Sequence, residues 1–335
     1  SIAQDELYTV QGGIVKNGGN FDLAFAVTGL SANGVLASSV SPAVQNLWNQ
    51  GTGTLFQREG SHHPDEGATP DYKAGVWARY YGASGSVSPD AGRSNFGAGG
   101  SNNFDQDGSG WEIGVSYAFN NQWAAGLLGG GSEATIKPDV GGRAEVDGST
   151  FGGYVTWTPG NGFYADLSYR AMSFDGNGQA GQSAFGYEGD ADGFNLELGY
   201  GFKSSEGLIV EPQFQYSSVE VDMDPIAYHN SDYRLTDGDS SLIRLGAAVR
   251  KSYATSGGSF TPYGALSYLD ELDGNNTYNI GGLIGNLNTS GGSALVEAGV
   301  SGIFKGFGYS AGLNWRDGSA YDSVFGGQVS VRYDW

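Results

Sequence analysis

The stretch "GGQVSVRYDW" occupies residues 326–335, and its tryptophan is the last residue of the chain. Successive side chains of an extended strand point to opposite faces. Val329, Val331, Tyr333 and Trp335 therefore share one face, and Gln328, Ser330, Arg332 and Asp334 share the other. Chain ends fray unless something ties them down. A strand this regular needs a neighbour on its open edge.

The same two-residue period recurs upstream. "WEIGVSYAF" (111–119) sets Trp111, Ile113, Val115, Tyr117 and Phe119 against Glu112, Gly114, Ser116 and Ala118, and "FYADLSYRA", "FNLELGYGF", "LIVEPQFQY" and "FGYSAGLNW" repeat it. Such alternation marks half-buried strands. It predicts twelve, near 74–87, 108–119, 122–137, 143–158, 162–175, 189–204, 207–223, 239–252, 259–271, 292–304, 307–317 and 324–335. The connections alternate between broad or moderate (88–107, 138–142, 176–188, 224–238, 272–291, "DGSAYDS") and short ("NN", "PGN", "SSEG", "YATSGG", "KG"). An even number of antiparallel strands with short turns on one rim and longer loops on the other describes an outer-membrane β-barrel. The expected fold class is all-β: a twelve-stranded antiparallel transmembrane β-barrel. Its last strand closes on the first, "GVWARYYG" at 75–82, which answers the opening stretch.

Composition bounds the alternatives. The 335 residues include 59 Gly, 20 Tyr, 17 Phe and 7 Trp, with no Cys and a net charge of -20. That charge argues against nucleic acid, whose binding rests on Lys and Arg. Without cysteine there are no disulfides or thiolate metal sites. A soluble β-sandwich also alternates, but its polar face carries many Lys and Glu. Here that face is Gly, Ser, Asn, Gln and Tyr with a few charges of both signs. Arg79, Glu112, Asp166, Arg170, Glu197, Glu211, Arg244, Arg250, Glu297 and Arg332 would line an enclosed polar lumen and pair there. The apolar face begins or ends on aromatics such as Trp111, Trp123, Trp157, Phe163, Trp315 and Trp335, as an interfacial girdle requires. Glycine on the lumen face reads as room for an approaching backbone.

One segment, about 37–59, reads as a helix of small and polar residues. Ser41 before Pro42 is its expected N-cap, and Gly51 and Gly53 weaken its middle. Such a helix suits polar surroundings, and no hydrophobic seal is expected around it. Residues 60–73 form a linker, "GSHHPDEGATPDYK". Ser61, His62 and Asp65 cannot form a triad from adjacent linker positions, and His62 and His63 read as solvated rather than metal-binding. The acidic loops lack the twelve-residue order of an EF-hand, so no metal or cofactor is expected.

The runs "KAGVWARYYG", "FGGYVTWTPGNGFYADLSYRA", "LIVEPQFQYSSVEV", "SLIRLGAAVRKSYATSGGSFTPYGALSYLDELDG" and "VSVRYDW" together resemble the translocator domain of classical autotransporters, in family order over most of residues 37–335. The resemblance implies a barrel with an N-terminal helix in its pore, residues 1–36 as the end of a passenger, and Val329, Val331, Tyr333 and Trp335 as the signal read by the barrel-assembly machinery. It implies a monomer among outer-membrane lipid and lipopolysaccharide, carrying its passenger to the cell surface without enzymatic chemistry. A diffusion porin is the alternative, and it would need an open lumen. Some relatives cleave themselves at an Asn-Asn pair in the helix. Asn46 and Asn49 are separated here, so that reaction is not expected.

Overall fold

The computed structural model describes residues 6–59, 73–91 and 101–335. Twelve long strands form a closed antiparallel barrel. In order they are Ala74–Val87, Phe104–Ala118, Trp123–Pro138, Arg143–Trp157, Phe163–Gln179, Phe185–Tyr200, Leu208–Met223, Ser231–Lys251, Gly258–Glu271, Gly291–Phe304, Phe307–Gly318 and Tyr321–Asp334. Closure joins the twelfth strand to the first, from Asp334↔Gly75 up to Tyr321↔Val87. The terminal residue is held as well: Trp335 N–H donates to the Ala74 carbonyl, and its own carbonyl accepts from Lys73 and Ala74. Among the described residues no helix is long and apolar enough to cross a membrane.

Several strands run further toward the long-loop rim than alternation alone predicts. The expected loops at 176–188 and 224–238 are largely sheet, and 272–291 contains a hairpin, Asn275–Ile280 with Leu283–Asn288. The reason is visible in the side chains. On the second strand the outward face carries Trp111, Ile113, Val115 and Tyr117, and the inward face Glu112 and Ser116. Beyond Gly108 the polarity inverts, with Asp105 and Asp107 outward and Phe104 inward. The fourth, fifth and seventh strands invert at the same level, with Val146, Met172, Phe174, Val219 and Val221 buried inside. The barrel therefore has two storeys. The lower one is apolar outside and polar inside, and Trp111 to Phe119 supplies the nine residues a tilted strand needs to span. The upper one is an ordinary water-soluble sheet with its core inside. Across its outer surface Glu133, Asp147, Asp175 and Glu188 face one another on consecutive strands, where the acidic charge concentrates.

At the short-turn rim the outward aromatics stack on one another. Trp123 and Trp157 lie 5.8 Å apart, and Tyr333 and Trp335 6.0 Å apart, between ring centroids. Inside, glycines face aromatic rings across the strands more than they face the helix. Trp77 lies over Gly114 and Tyr164 over Gly199, positions where any Cβ would collide with the ring. Gly108 and Gly238 do adjoin the helix.

The helix is two pieces: α1, Ala32–Thr52, and α2, Leu55–Glu59. This corrects the expected 37–59 span and its cap. Ser31 is the N-cap, its side chain accepting from Gly34 N–H at 3.1 Å, and Pro42 lies inside α1. Ser41 instead donates to Asn276 Oδ1 at 2.6 Å. Proline removes one helical bond, but α1 is buried almost throughout, and packing carries it past the interruption. Gly53, at φ +56, ends α1 in a conformation that a side chain disfavours. A hairpin, Tyr8–Asn17 with Asn20–Leu30, precedes α1 at the long-loop rim. The linker histidines His62 and His63, with Ser61 and Asp65, fall outside the described residues.

Candidate functional site

The site is the lumen and the chain that occupies it. α1 enters at the long-loop rim, where Asn33 donates to Tyr228 Oη and accepts from Ala180 N–H, at 2.9 and 2.7 Å. Leu7, just ahead of the hairpin, donates its N–H to Ser231 Oγ. In the upper storey Leu36, Val40, Val44, Leu47 and Trp48 form one buried cluster with Phe104, Ile136, Phe174 and Tyr233. An apolar gasket thus surrounds α1, contrary to the expectation that a polar helix needs no hydrophobic seal. The helix carries many small and polar residues, but Leu36, Val40, Val44, Leu47 and Trp48 belong to the same buried cluster as apolar side chains of the strands. Tyr233 and Tyr278 stack at 5.5 Å across the top. Burial pushes the Tyr278 hydroxyl up to about 12, so this ring stays uncharged at any ordinary pH.

Lower down the contacts become ionic. Arg79 and Arg170 both pair with Glu112, and Arg79 also donates to the Gly51 carbonyl near the end of α1. α2 is fixed by three links. Leu55 N–H donates to Glu197 at 2.7 Å, Gln57 donates to Glu297 at 2.7 Å, and Arg58 grips Asp166 through two nitrogens at 2.6 and 3.0 Å. Arg244 pairs with Glu297, and Arg250 pairs with Glu211 at 2.7 Å. Tyr164 donates toward Glu197 and Glu211. Arg332 is inward too, but it pairs with Asp334 on its own strand and donates to Ser116, away from the helix. All ten charged positions singled out in the sequence are buried in the lumen. Of these, Arg79, Asp166, Glu197 and Glu297 touch the α1–α2 segment. Arg58 and Gln57 were missed. A lone arginine facing carboxylates on strands was the available signal, since a buried guanidinium needs a counter-charge.

Val329, Val331, Tyr333 and Trp335 point outward and are exposed by two-fifths or more, so they form part of the apolar belt. His229, with φ +51, packs its ring on Tyr228 at the long-loop rim.

The sequence model described as "Autotransporter beta-domain" matches residues 76–316. The chain belongs to the autotransporter β-domain family. Curated relatives include the pertactin autotransporter of Bordetella parapertussis, 26% identical over 318 residues that cover 91% of this chain and 33% of the relative. The chain thus spans about a third of the length of the curated relatives it matches. Among solved structures it is similar to the translocator domain of NalP from Neisseria meningitidis, with TM-score 0.62 and 13% identity over 90% of this chain and 98% of that one. The transport unit of AIDA-I from Escherichia coli superposes with TM-score 0.60 and 13% identity, over 89% and 99%. As an autotransporter β-domain, the barrel is an integral protein of the Gram-negative outer membrane. Its short turns face the periplasm, and the acidic upper storey stands outside.

Proposed function

We propose that this chain carries an N-terminal passenger across the outer membrane and holds it at the cell surface. One observation carries the reading. The chain passes through its own barrel, from Ser31 at the extracellular mouth to Arg58 near the periplasmic rim. Whatever precedes residue 31 then lies outside the cell, although the barrel that follows is inserted from the periplasm. The lumen is the route that joins the two sides.

On this reading the chain up to the end of the hairpin at Leu30 is the end of the passenger. The hairpin's Ile14, Phe21, Leu23 and Phe25 are each more than half exposed, which suits a face covered by preceding passenger sequence. The segment from Ala32 to Glu59 seals the pore after transport, 60–73 link it to the first strand, and 74–335 anchor the assembly. Val329, Val331, Tyr333 and Trp335 serve as the handle for the barrel-assembly machinery. The barrel works as a monomer among outer-membrane lipid and lipopolysaccharide, whose phosphates divalent cations tie loosely to the acidic collar. Its action is geometric rather than catalytic. A diffusion porin would need the space that α1 and α2 fill.

The test is an epitope placed ahead of Ser1, behind a secretion signal, in a Gram-negative host. Added protease should remove the epitope from intact cells while the barrel survives. An epitope reached only after the outer membrane is broken would overturn the proposal.

A further inference from the structure

The two rims of the barrel differ in charge. Among the described residues, each exposed basic side chain of the upper storey has a carboxylate beside it. Lys137 pairs with Asp107 at 3.1 Å, Arg143 with Glu145 at 2.7 Å and Arg234 with Asp232 at 3.5 Å. Four of the chain's six lysines, Lys73, Lys203, Lys251 and Lys305, lie instead at the short-turn rim. None of these four has a carboxylate of the described residues within ion-pair distance. The rim's own described carboxylates are Glu206, in the same turn as Lys203, and Asp334, which Arg332 holds at 2.8 Å.

The four lysines are not spread evenly. Around the closed sheet the periplasmic joints follow one another between strands two and three, four and five, six and seven, eight and nine, ten and eleven, and twelve and one. The lysines mark the last four of these joints, which are consecutive. The first two, residues 119–122 and 158–162, carry no charge. There Trp123, Trp157 and Phe163 stack in a row, at 5.8 and 5.6 Å between centroids. The rim is thus one unbroken basic arc and one neutral, aromatic sector. Each lysine of the arc adjoins an outward aromatic. Lys251 Nζ lies 5.8 Å from the centre of the Tyr253 ring, and Lys305 Nζ 5.3 Å from that of Phe304. Lys203 follows Phe202, and the Lys73 N–H donates to the Trp335 carbonyl. These four rings are each exposed by half or more, at the lower edge of the apolar belt. A ring face attracts an ammonium, and the long lysine stem carries the charge past the apolar edge into the headgroup layer. An aromatic belt sits at headgroup level, so these ammoniums meet lipid phosphates rather than carboxylates of the protein.

We propose that this arc binds the phosphates of anionic phospholipid in the periplasmic leaflet, directly and without a bridging cation. The acidic collar on the opposite rim repels the same headgroups unless divalent cations intervene, so the two rims accept different lipid chemistry. The occupant is phospholipid rather than lipopolysaccharide, because the short turns face the periplasm and lipopolysaccharide fills the outer leaflet. Binding is one-sided: anionic lipid gathers beside strands six to twelve and one, and the neutral sector selects none.

The experiment is native mass spectrometry of the full chain from detergent micelles holding phosphatidylglycerol and phosphatidylcholine of one chain length in equal amounts, with a chelator present. Phosphatidylglycerol should be retained several-fold over phosphatidylcholine. The triple change Lys203→Gln, Lys251→Gln and Lys305→Gln should bring the ratio close to one. A charge-matched control, Lys16→Gln, Lys137→Gln and Arg143→Gln, should leave it where it was. Equal retention of the two lipids by the intact chain overturns the proposal, as does a preference that survives the first triple or is lost equally in the control. If the preference appears only when magnesium replaces the chelator and survives the first triple, the lipid sits on the acidic collar and the proposal fails. A second measurement needs no variant and so does not depend on one folding. Photoactivatable phosphatidylglycerol should cross-link to the intact chain at the four basic joints and not at residues 119–122 or 158–162. Cross-links shared evenly among all six joints would refute the one-sided arc.

Discussion

Glu112 holds two buried guanidiniums, so its removal should cost more than that of any other lumenal carboxylate. Breaking a buried pair by deleting one partner costs about 3–5 kcal/mol, because it strands the other charge, whereas replacing both by apolar groups is often neutral. Glu112→Gln should therefore lower the heat-modifiability transition sharply. Asp166→Asn should do so less, and the double change Arg58→Met with Asp166→Leu should recover part of that loss. A double variant as damaged as the single one would mean the pair is not the source of the cost. Outside the membrane the upper storey has an acidic weakness at Asp239. Burial, then a hydrogen bond that the protonated carboxyl shares with Asp237, and the charges of Asp237, Glu220 and Asp273, push its carboxyl up to about 6. In the unfolded chain it titrates near 3.9. The folded state thus keeps a proton that the unfolded state has already released. Its contribution to stability is full below about pH 4 and is lost as pH rises through 6. The group is partly solvated, so Asp239→Asn should stabilise the protein at pH 7 by only roughly 1 kcal/mol and flatten the stability profile between pH 4 and 6. Urea unfolding of the folded barrel across that range would show a parallel profile for both forms if the argument is wrong. The charged residues of the lumen were legible from their inward phase on the strands. Their pairing was not, because alternation places a side chain on a face without saying which strand it will reach.

At the scale of elements, the strands were the most legible feature and the helix the least. Alternation located all twelve strands, but it was read as a single phase. In "FDQDGSGWEIGVSYAF" the one apolar residue before Gly108, Phe104, sits at an even position between outward aspartates, whereas Trp111, Ile113, Val115, Tyr117 and Phe119 sit at odd positions. That slip, with no bulge in the register, is the signature of a strand leaving one solvent for another. The same slip in "EVDGSTFGGYVTW" would have forecast the apolar gasket. α1 was misplaced because Ser41-Pro42 is a strong local start signal that tertiary packing overrides. Ser31 is the cap, and the gasket holds the helix through its proline. Leu47→Ala should then cost about 2–5 kcal/mol, the range for large-to-small changes in a packed core. Its cost should match that of a soluble-core substitution rather than a surface one. Gly53→Ala should do a different kind of damage. It strains a left-handed residue by about 1–2 kcal/mol and drives a methyl into the Arg79 guanidinium, which loosens the α1–α2 joint while leaving the gasket intact. Hydrogen exchange on the folded barrel should show faster exchange at Leu55–Glu59 and unchanged exchange at Val35–Leu47. Uniform change along both helices would refute the division of the lumen into two independently held segments.

For the whole molecule, the two storeys divide the work of sealing a pore that must once have passed a polypeptide. Ion pairs in the lower storey orient the segment, but water and salt can follow polar walls. The gasket excludes water because apolar surfaces close-packed around α1 leave no hydrated path there. A lumenal chamber lies beside Asn46, Asn49 and Gln50, where the gasket gives way to polar groups. The barrier to ions should therefore sit at the level of Leu36–Leu47. Two variants of the purified barrel in planar bilayers separate the contributions. Deleting residues 1–59 should raise single-channel conductance to that of an open twelve-stranded pore, since closure of the sheet depends on the Tyr321–Asp334 and Ala74–Val87 strands and not on the helix. Val40→Asp should raise it by a smaller step with α1 still in place, because one buried carboxylate draws water into the gasket. Glu297→Gln should leave the conductance low, since it removes the charge opposite Arg244 and alters an orienting contact to Gln57 but leaves the gasket intact. If Glu297→Gln opened the pore as widely as the deletion, the ionic storey would be the seal. If the deletion changed nothing, the lumen would not be the conducting path, and the route proposed for the passenger would fall with it.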